Sequence, residues 1–377
     1  MNRLFVCKKM TVWAMLMLIL ASPLAAQKGL SVEFMSHYGQ LVKHKQILTF
    51  DVKKPAAAAE ISLQFQMYGR RNWHYWQNYP LFGVSILYYN LGNDQTLGSA
   101  VGIFPSLSFN AIHTSRFDLK FQVGLGVAYI NKYFNPVTNP TNNGIGSAFN
   151  NVTSLRLGGK WHFDARWAML LGGSLTHFSN GASQLPNFGL NIPALYAGVQ
   201  YTRQPLQKAD YQVATESSKP KHRLGLLLHA DVGFVEDKLP GGPKYPVYFG
   251  SIAAVYHHSK VNRLLVGFEY EQNEAIYAFQ QHINPPGNEA VSRQKSIQKM
   301  VFVAEEWLFG NWGALLQAGT YFGENRKNAT FFIYNKIGVR YYLPEISTPA
   351  TRFFAGIYLK THQVIAEDIS IGCGATF

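Results

Sequence analysis

Residues 175 to 191, LTHFSNGASQLPNFGLN, gather side-chain types that together can attack an acyl ester. His177 and Ser179 stand two apart. On a β-strand such residues point the same way, with Cα atoms about 6.5–7 Å apart. An imidazole nitrogen can then approach the serine hydroxyl and take its proton, which makes the oxygen nucleophilic. Asn191 has the parity to reach the other imidazole nitrogen from the adjacent strand and to fix its tautomer, as the third member of a triad does. Asn180 and the backbone amides around Gly181 are candidates for an oxyanion hole.

This chemistry needs elements that hold it in place, and the composition limits what they are. Residues 1–26, MNRLFVCKKMTVWAMLMLILASPLAA, read as a secretory signal: Arg3, Lys8 and Lys9 precede an apolar run that ends in small residues near Ala26. The rest of the chain holds one cysteine, Cys373, which excludes an intrachain disulfide and a thiolate metal site. Charged residues are only 15% of the chain against 14% aromatic, and no later window is apolar enough for a spanning helix. An exported, aromatic-rich chain of this kind is either a soluble β-protein or an outer-membrane barrel. Removing the three signal charges takes the formal +13 to +10, an excess that suits a surface facing anionic, phosphate-bearing lipid, and export makes nucleic acid a poor partner.

Hydrophobic periodicity favours the barrel. In FDLKFQVGLGVAY, Phe117, Leu119, Phe121, Val123, Leu125, Val127 and Tyr129 share one face, opposite Asp118, Lys120, Gln122 and small residues. ISLQFQMY and the closing segment from Asp368 to Phe377 repeat the pattern. Apolar-out, polar-in segments of about ten residues mark transmembrane barrels. The terminal Phe377 on an alternating strand and the WHYW cluster (Trp73 to Trp76), read as an interfacial girdle, agree. About sixteen strands are expected, the first near 30–40 and the last near 367–377, in an all-antiparallel transmembrane β-barrel over residues 27–377. Long loops at 41–58 and 133–149 and short turns at AIHTSR and FDAR put the hairpin at 180–190 on the external side. The polar stretch 204–221 is long where a short turn belongs and divides the chain into halves, 28–203 and 222–377. One closed barrel is the favoured reading, with two tandem eight-stranded barrels as the alternative.

By parity, His177, Ser179 and Asn191 continue the lipid-facing row beside the external hairpin. Polar groups there are costly, which is the reason to read them as functional. The pair His257–His258 is a weak metal candidate, because adjacent strand residues face opposite ways. Glu269, Glu271 and Glu274 near an external loop are a candidate divalent-cation site, with solvated charge the favoured reading. Gly-rich phosphate loops, G-x-S-x-G and H-E-x-x-H are absent, and no metal or cofactor is expected.

The H-x-S-N run at a strand end, followed by P-N-x-G-L, resembles the outer-membrane lipid A 3-O-deacylase (PagL-like) family through His177, Ser179, Asn180, Pro186, Asn187, Gly189 and Leu190. That resemblance implies a histidine base and a serine nucleophile, and a glutamate fourteen residues beyond the histidine, where this chain has Asn191. The H-x-S-N-G run and an asparagine at that spacing also resemble outer-membrane phospholipase A, which would bring calcium. The expected function is therefore hydrolysis of lipid esters in a bacterial outer membrane, with lipid A or lipopolysaccharide as substrate. A phospholipid is the alternative, and a porin-like channel without catalysis is a reading of another class. The channel reading expects an open polar lumen and an Asn191 side chain too far from His177 to orient it. Oligomeric state and the role of residues 222–377 are left open by the sequence.

Overall fold

A computed structural model describes residues 28–236, 239–323, 333–346, 348, 351–362 and 365–377. The expected secretory signal lies outside the described residues. Among the described residues sixteen antiparallel strands are present, and they close as two barrels of eight rather than one of sixteen. The first comprises β1 (Leu30–Gly39), β2 (Ala56–Gln66), β3 (Leu81–Asn90), β4 (Ser99–His113), β5 (Phe117–Ile130), β6 (Phe149–His162), β7 (Trp167–Ser179) and β8 (Leu190–Thr202). The second comprises β9 (Leu224–Glu236), β10 (Lys244–His257), β11 (Asn262–Asn273), β12 (Ile297–Phe309), β13 (Trp312–Phe322), β14 (Ile333–Tyr342), β15 (Arg352–His362) and β16 (Ile365–Thr376).

The favoured single barrel is corrected by two closing ladders. β8 returns to β1, from Ser31 opposite Thr202 to Gly39 opposite Ala194. β16 returns to β9, from Ile369 opposite Phe234 to Thr376 opposite Leu227. Each ladder satisfies the edge groups of its own first and last strands, so no edge is left to join the halves. The polar segment between Thr202 and Leu224 is the connection between two finished barrels.

Period-two alternation sorts side chains in both. Phe34, Ile61, Ile86, Val127, Leu171 and Leu195 are exposed on the first outer wall, as are Leu226, Val266, Ile337 and Ile371 on the second. Several lumen-facing charges are paired. In the first barrel His37 Nε2 lies 3.1 Å from Glu60 Oε2, and Arg156 stands 3.6 Å from both Glu33 and Glu60. In the second, Arg263 and Arg340 hold Glu306 at 2.8 and 3.1 Å. At the end of the first barrel that carries the β7–β8 loop, loop residues Leu41, Leu48, Phe50, Leu91, Leu97 and Ile145 form one buried cluster with Phe178 and Leu190. Large side chains are buried inside, among them Arg156 in the first barrel and Arg263, Tyr334 and Tyr358 in the second.

The remaining elements are short helices. WHYW lies in α1 (Asn72–Trp76), within the β2–β3 connection, and is more than a membrane girdle. Trp73 meets Phe309 of the second barrel edge-on at 6.1 Å, and Lys260 lies 5.2 Å from the Trp76 ring. The long β11–β12 loop folds as α2 (Glu274–Ile283) and α3 (Glu289–Lys295), which the sequence reading left unassigned.

Candidate active site at the external rim

The register places the candidate residues in rows across the outer wall. Thr153, His177 and Asn191 are directly opposite one another on β6, β7 and β8, and Ser179 stands opposite Asn151 one step nearer the rim. The loop after β1 extends the sheet here, since Val42 N–H donates to Asn191 O at 2.9 Å. That bridge carries His44 to the site.

A chain of hydrogen bonds then fixes the imidazole of His177. His44 Nε2 donates to Phe188 O at 3.0 Å, which leaves its Nδ1 as an acceptor for Asn191 Nδ2 at 3.1 Å. With its NH2 committed to His44, Asn191 presents Oδ1 to His177 Nδ1 at 2.6 Å. An oxygen acceptor at that distance requires the Nδ1–H tautomer. The Nε2 lone pair of His177 is thereby left to accept a proton. The loop is shaped around this ring: Gly189 has φ +77°, and a Cβ there would lie 2.7 Å from His177 Cε1. Only glycine fits both the backbone and the close approach.

Ser179 is buried, and its hydroxyl accepts from Gly181 N–H at 3.1 Å and from Asn187 Nδ2 at 3.0 Å. No hydrogen bond joins it to His177. Asn187 Oδ1 accepts Asn180 N–H at 3.0 Å, so that side chain is held from both ends. Asn180 Nδ2 is engaged by Ser147 Oγ and Gln184 O, which makes the Asn180 side chain a brace of the hairpin. The structure thus brings together His177, Asn191 and His44 in one group and Ser179, Gly181 and Asn187 in another. Asn187 stood in the quoted motif without a role, and its reach to Ser179 comes from the folding back of the hairpin. His44 carried no sequence signal, because its contact is made through loop pairing across 147 positions.

Below His177 the outer wall opens into a groove of about 620 Å³, lined by Tyr38, Leu157, Gly173, Leu175, Pro193 and Leu195 among others. Leu175 and Pro193 lie one outward row below His177 and Asn191, and Gly173 one row further. A Cβ on Gly173 would meet nothing within 4 Å. At the rim above, Lys43 and Lys45 flank His44, with Lys45 Nζ 5.0 Å from the Phe188 ring. Burial there lowers the Lys45 ammonium from its ordinary value.

The other sequence candidates are occupied elsewhere. His258 meets Glu305 at 2.8 Å. Glu269 and Glu271 are buried in the second lumen against Lys336 and Lys360, and Glu274 pairs with Arg293, which corrects their reading as solvated charge.

Two closed barrels with apolar outer walls and an organised polar cluster at one rim define an outer-membrane β-barrel protein. The family profile of lipid A 3-O-deacylase (PagL) matches residues 57–200, and that of the acyloxyacyl hydrolase C-terminal domain matches residues 193–377. One profile falls on each barrel, so the chain is similar to outer-membrane lipid hydrolases along both halves. No curated protein matches it. Among solved structures, Neisserial surface protein A is similar at 11% identity, TM-score 0.32, over 46% of this chain and 97% of its own. The outer membrane enzyme PagL is similar at 13% identity, TM-score 0.30, over 46% of this chain and 99% of its own.

Proposed function

We propose that the protein deacylates lipid A in the outer leaflet through Ser179, His177 and Asn191. The observation that carries this reading is the relay from Phe188 O through His44 and Asn191, which leaves His177 Nε2 as a base. Rotation of the Ser179 side chain toward that nitrogen frees the Gly181 and Asn187 donors. His177 Nε2 takes the hydroxyl proton as Ser179 Oγ bonds to the ester carbonyl carbon, and the carbonyl oxygen becomes an oxyanion. Gly181 N–H and Asn187 Nδ2–H are placed to stabilise it. Collapse expels the sugar oxygen, which receives the proton from His177, and water then releases the acyl group from Ser179 by the same steps. The groove past Gly173 receives the acyl chain, and Lys43 and Lys45 meet phosphate at the headgroup level. No step is assigned to a metal.

Asparagine at position 191 favours a second substrate, since the phospholipase resemblance has the same residue there; calcium belongs to that reading. Mass spectrometry of lipid A and phospholipids from cells with the wild-type chain, Ser179→Ala, or no protein separates them. Loss of one acyl chain from lipid A, abolished by Ser179→Ala in a folded, heat-modifiable barrel, is the expected result. Lysophospholipid in place of that product selects the phospholipase, and no change in either lipid refutes hydrolysis.

A further inference from the structure

The first barrel does not finish its own active-site rim. The 180–189 hairpin, which carries Gly181 and Asn187, is held from outside by the second barrel. Leu185 N–H donates to Glu236 Oε2, and the other carboxylate oxygen of Glu236 accepts Gly241 N–H at 3.0 Å. Glu236 is the last residue of β9 and shares parity with the exposed Phe234, so it belongs to the outer wall, yet it is buried. A carboxylate on a lipid-facing wall is costly unless it is hydrogen-bonded. Here one of its partners is an amide of the other barrel.

Ile369 of β16 makes the second contact. Its side chain lies against the Gly181 backbone so closely that a methyl group on Gly181, whose φ is +63°, would overlap it. Phe234 and Ile369 are paired across β9 and β16, so Glu236 and Ile369 occupy the same stretch of rim. The far rim has separate contacts, where Phe309 meets Trp73 and Phe109 at 6.1 and 6.0 Å. Strands of such barrels tilt by roughly 35–45°, which carries the outer end of β7 around toward the side where β4 ends below. One side of the first barrel therefore faces the second at both rims.

We infer that the second barrel is a working part of the hydrolytic site, with Glu236 and Ile369 as positioning residues for the oxyanion donors of the 180–189 hairpin. This rests on the ester-hydrolase reading above. Glu236 fixes the middle of the hairpin and Ile369 backs the Gly181 amide, while neither reaches the acyl groove. Their loss moves donors that act on the transition state and leaves ground-state binding in place. Misplacement by about 1 Å in such a site can cost on the order of 100-fold in rate.

Full-length Glu236→Ala, Glu236→Gln, Ile369→Ala and Phe309→Ala, each confirmed as folded by heat-modifiable migration, are assayed on purified lipid A and on a phospholipid in mixed micelles. Labelling of Ser179 by a fluorophosphonate is followed in parallel, a readout that needs no lipid. Glu236→Ala should lose at least about tenfold in kcat with KM within about twofold. Glu236→Gln, which keeps an acceptor oxygen, should recover most of that loss. Ile369→Ala should show a smaller fall in kcat, and labelling rates should follow kcat. Phe309→Ala, at the far rim, should keep wild-type kcat. An active wild type with unchanged Glu236→Ala and Ile369→Ala overturns the proposal alone, as does an equal loss in Phe309→Ala, which would make the second barrel a general support. A wild type that neither hydrolyses nor labels overturns the hydrolase reading as well.

Discussion

Replacing Asn191 by alanine removes two hydrogen bonds, the 2.6 Å contact from His177 Nδ1 and the 3.1 Å donation to His44 Nδ1. A neutral hydrogen bond contributes about 1 kcal/mol net, and one to a charged group about 1.5–3 kcal/mol. In the proposed mechanism the His177 imidazole passes from neutral to protonated as Ser179 attacks, so its bond to Asn191 gains roughly 0.5–2 kcal/mol on the way to the transition state. Losing the preference for the Nδ1–H tautomer adds about 1 kcal/mol. The total of about 1.5–3 kcal/mol corresponds to a roughly 13- to 160-fold fall in kcat. KM should stay within about twofold, because Asn191 sits a row above the acyl groove. Asn191→Glu should also lower activity, since a carboxylate cannot donate to His44 Nδ1. Fatty acid release from lipid A under saturating conditions, followed by mass spectrometry, measures both variants. A kcat within about threefold of wild type for Asn191→Ala would refute the orienting role, and so would a loss as deep as that of Ser179→Ala.

Asn187→Ala should lower kcat by about 10- to 100-fold with little change in KM if its NH2 serves the oxyanion, and steady-state kinetics on the same substrate tests this. Gly173→Leu should fold normally, because the space beyond Gly173 is open. It should selectively slow long acyl chains, so rate plotted against chain length is the measurement, and an unchanged profile excludes the groove as the acyl site. His74 in α1 is pushed down to about 4 by burial and by the nearby Arg71 and Arg70. A folded-state pKa below the ordinary 6.5 means that the unfolded chain binds more protons, so stability should fall as pH drops from 6.5 toward 4. His74→Phe should flatten that slope in unfolding midpoints measured against pH.

The walls of both barrels were legible because alternation is a local property. Phe121, Val123 and Leu125 advertise one face whatever strand lies beside them. Closure was not legible, since the edges of β8 look alike whether they pair with β1 or β9, and pairing across the whole barrel leaves no short-range trace. The long polar stretch before Leu224 was the available sign of two barrels. At the site, His177, Ser179 and Asn191 could be placed by parity, a count along two adjacent strands. His44 and Glu236 could not, because each arrives by a loop or rim contact from a distant part of the chain. The separation of Ser179 from His177 depends on the Ser179 rotamer and the Asn187 donor, which strand spacing does not determine.

The connection between Thr202 and Leu224 has a consequence for how strongly the barrels must bind one another. Two separate barrels in a bilayer would have to overcome dilution each time they met. These two are joined by one covalent linker that is fastened to both, since Gln212 N–H donates to Tyr68 O at 2.8 Å and Lys260 N–H donates to Ser218 O at 2.8 Å, so each stays within reach of the other. The rim contacts, Glu236 with Leu185, Ile369 with Gly181, Phe309 with Trp73 and Phe109, and Gln77 with Leu308 O, then act between partners already held close. Tethering thereby lowers the affinity that the rim contacts themselves must supply.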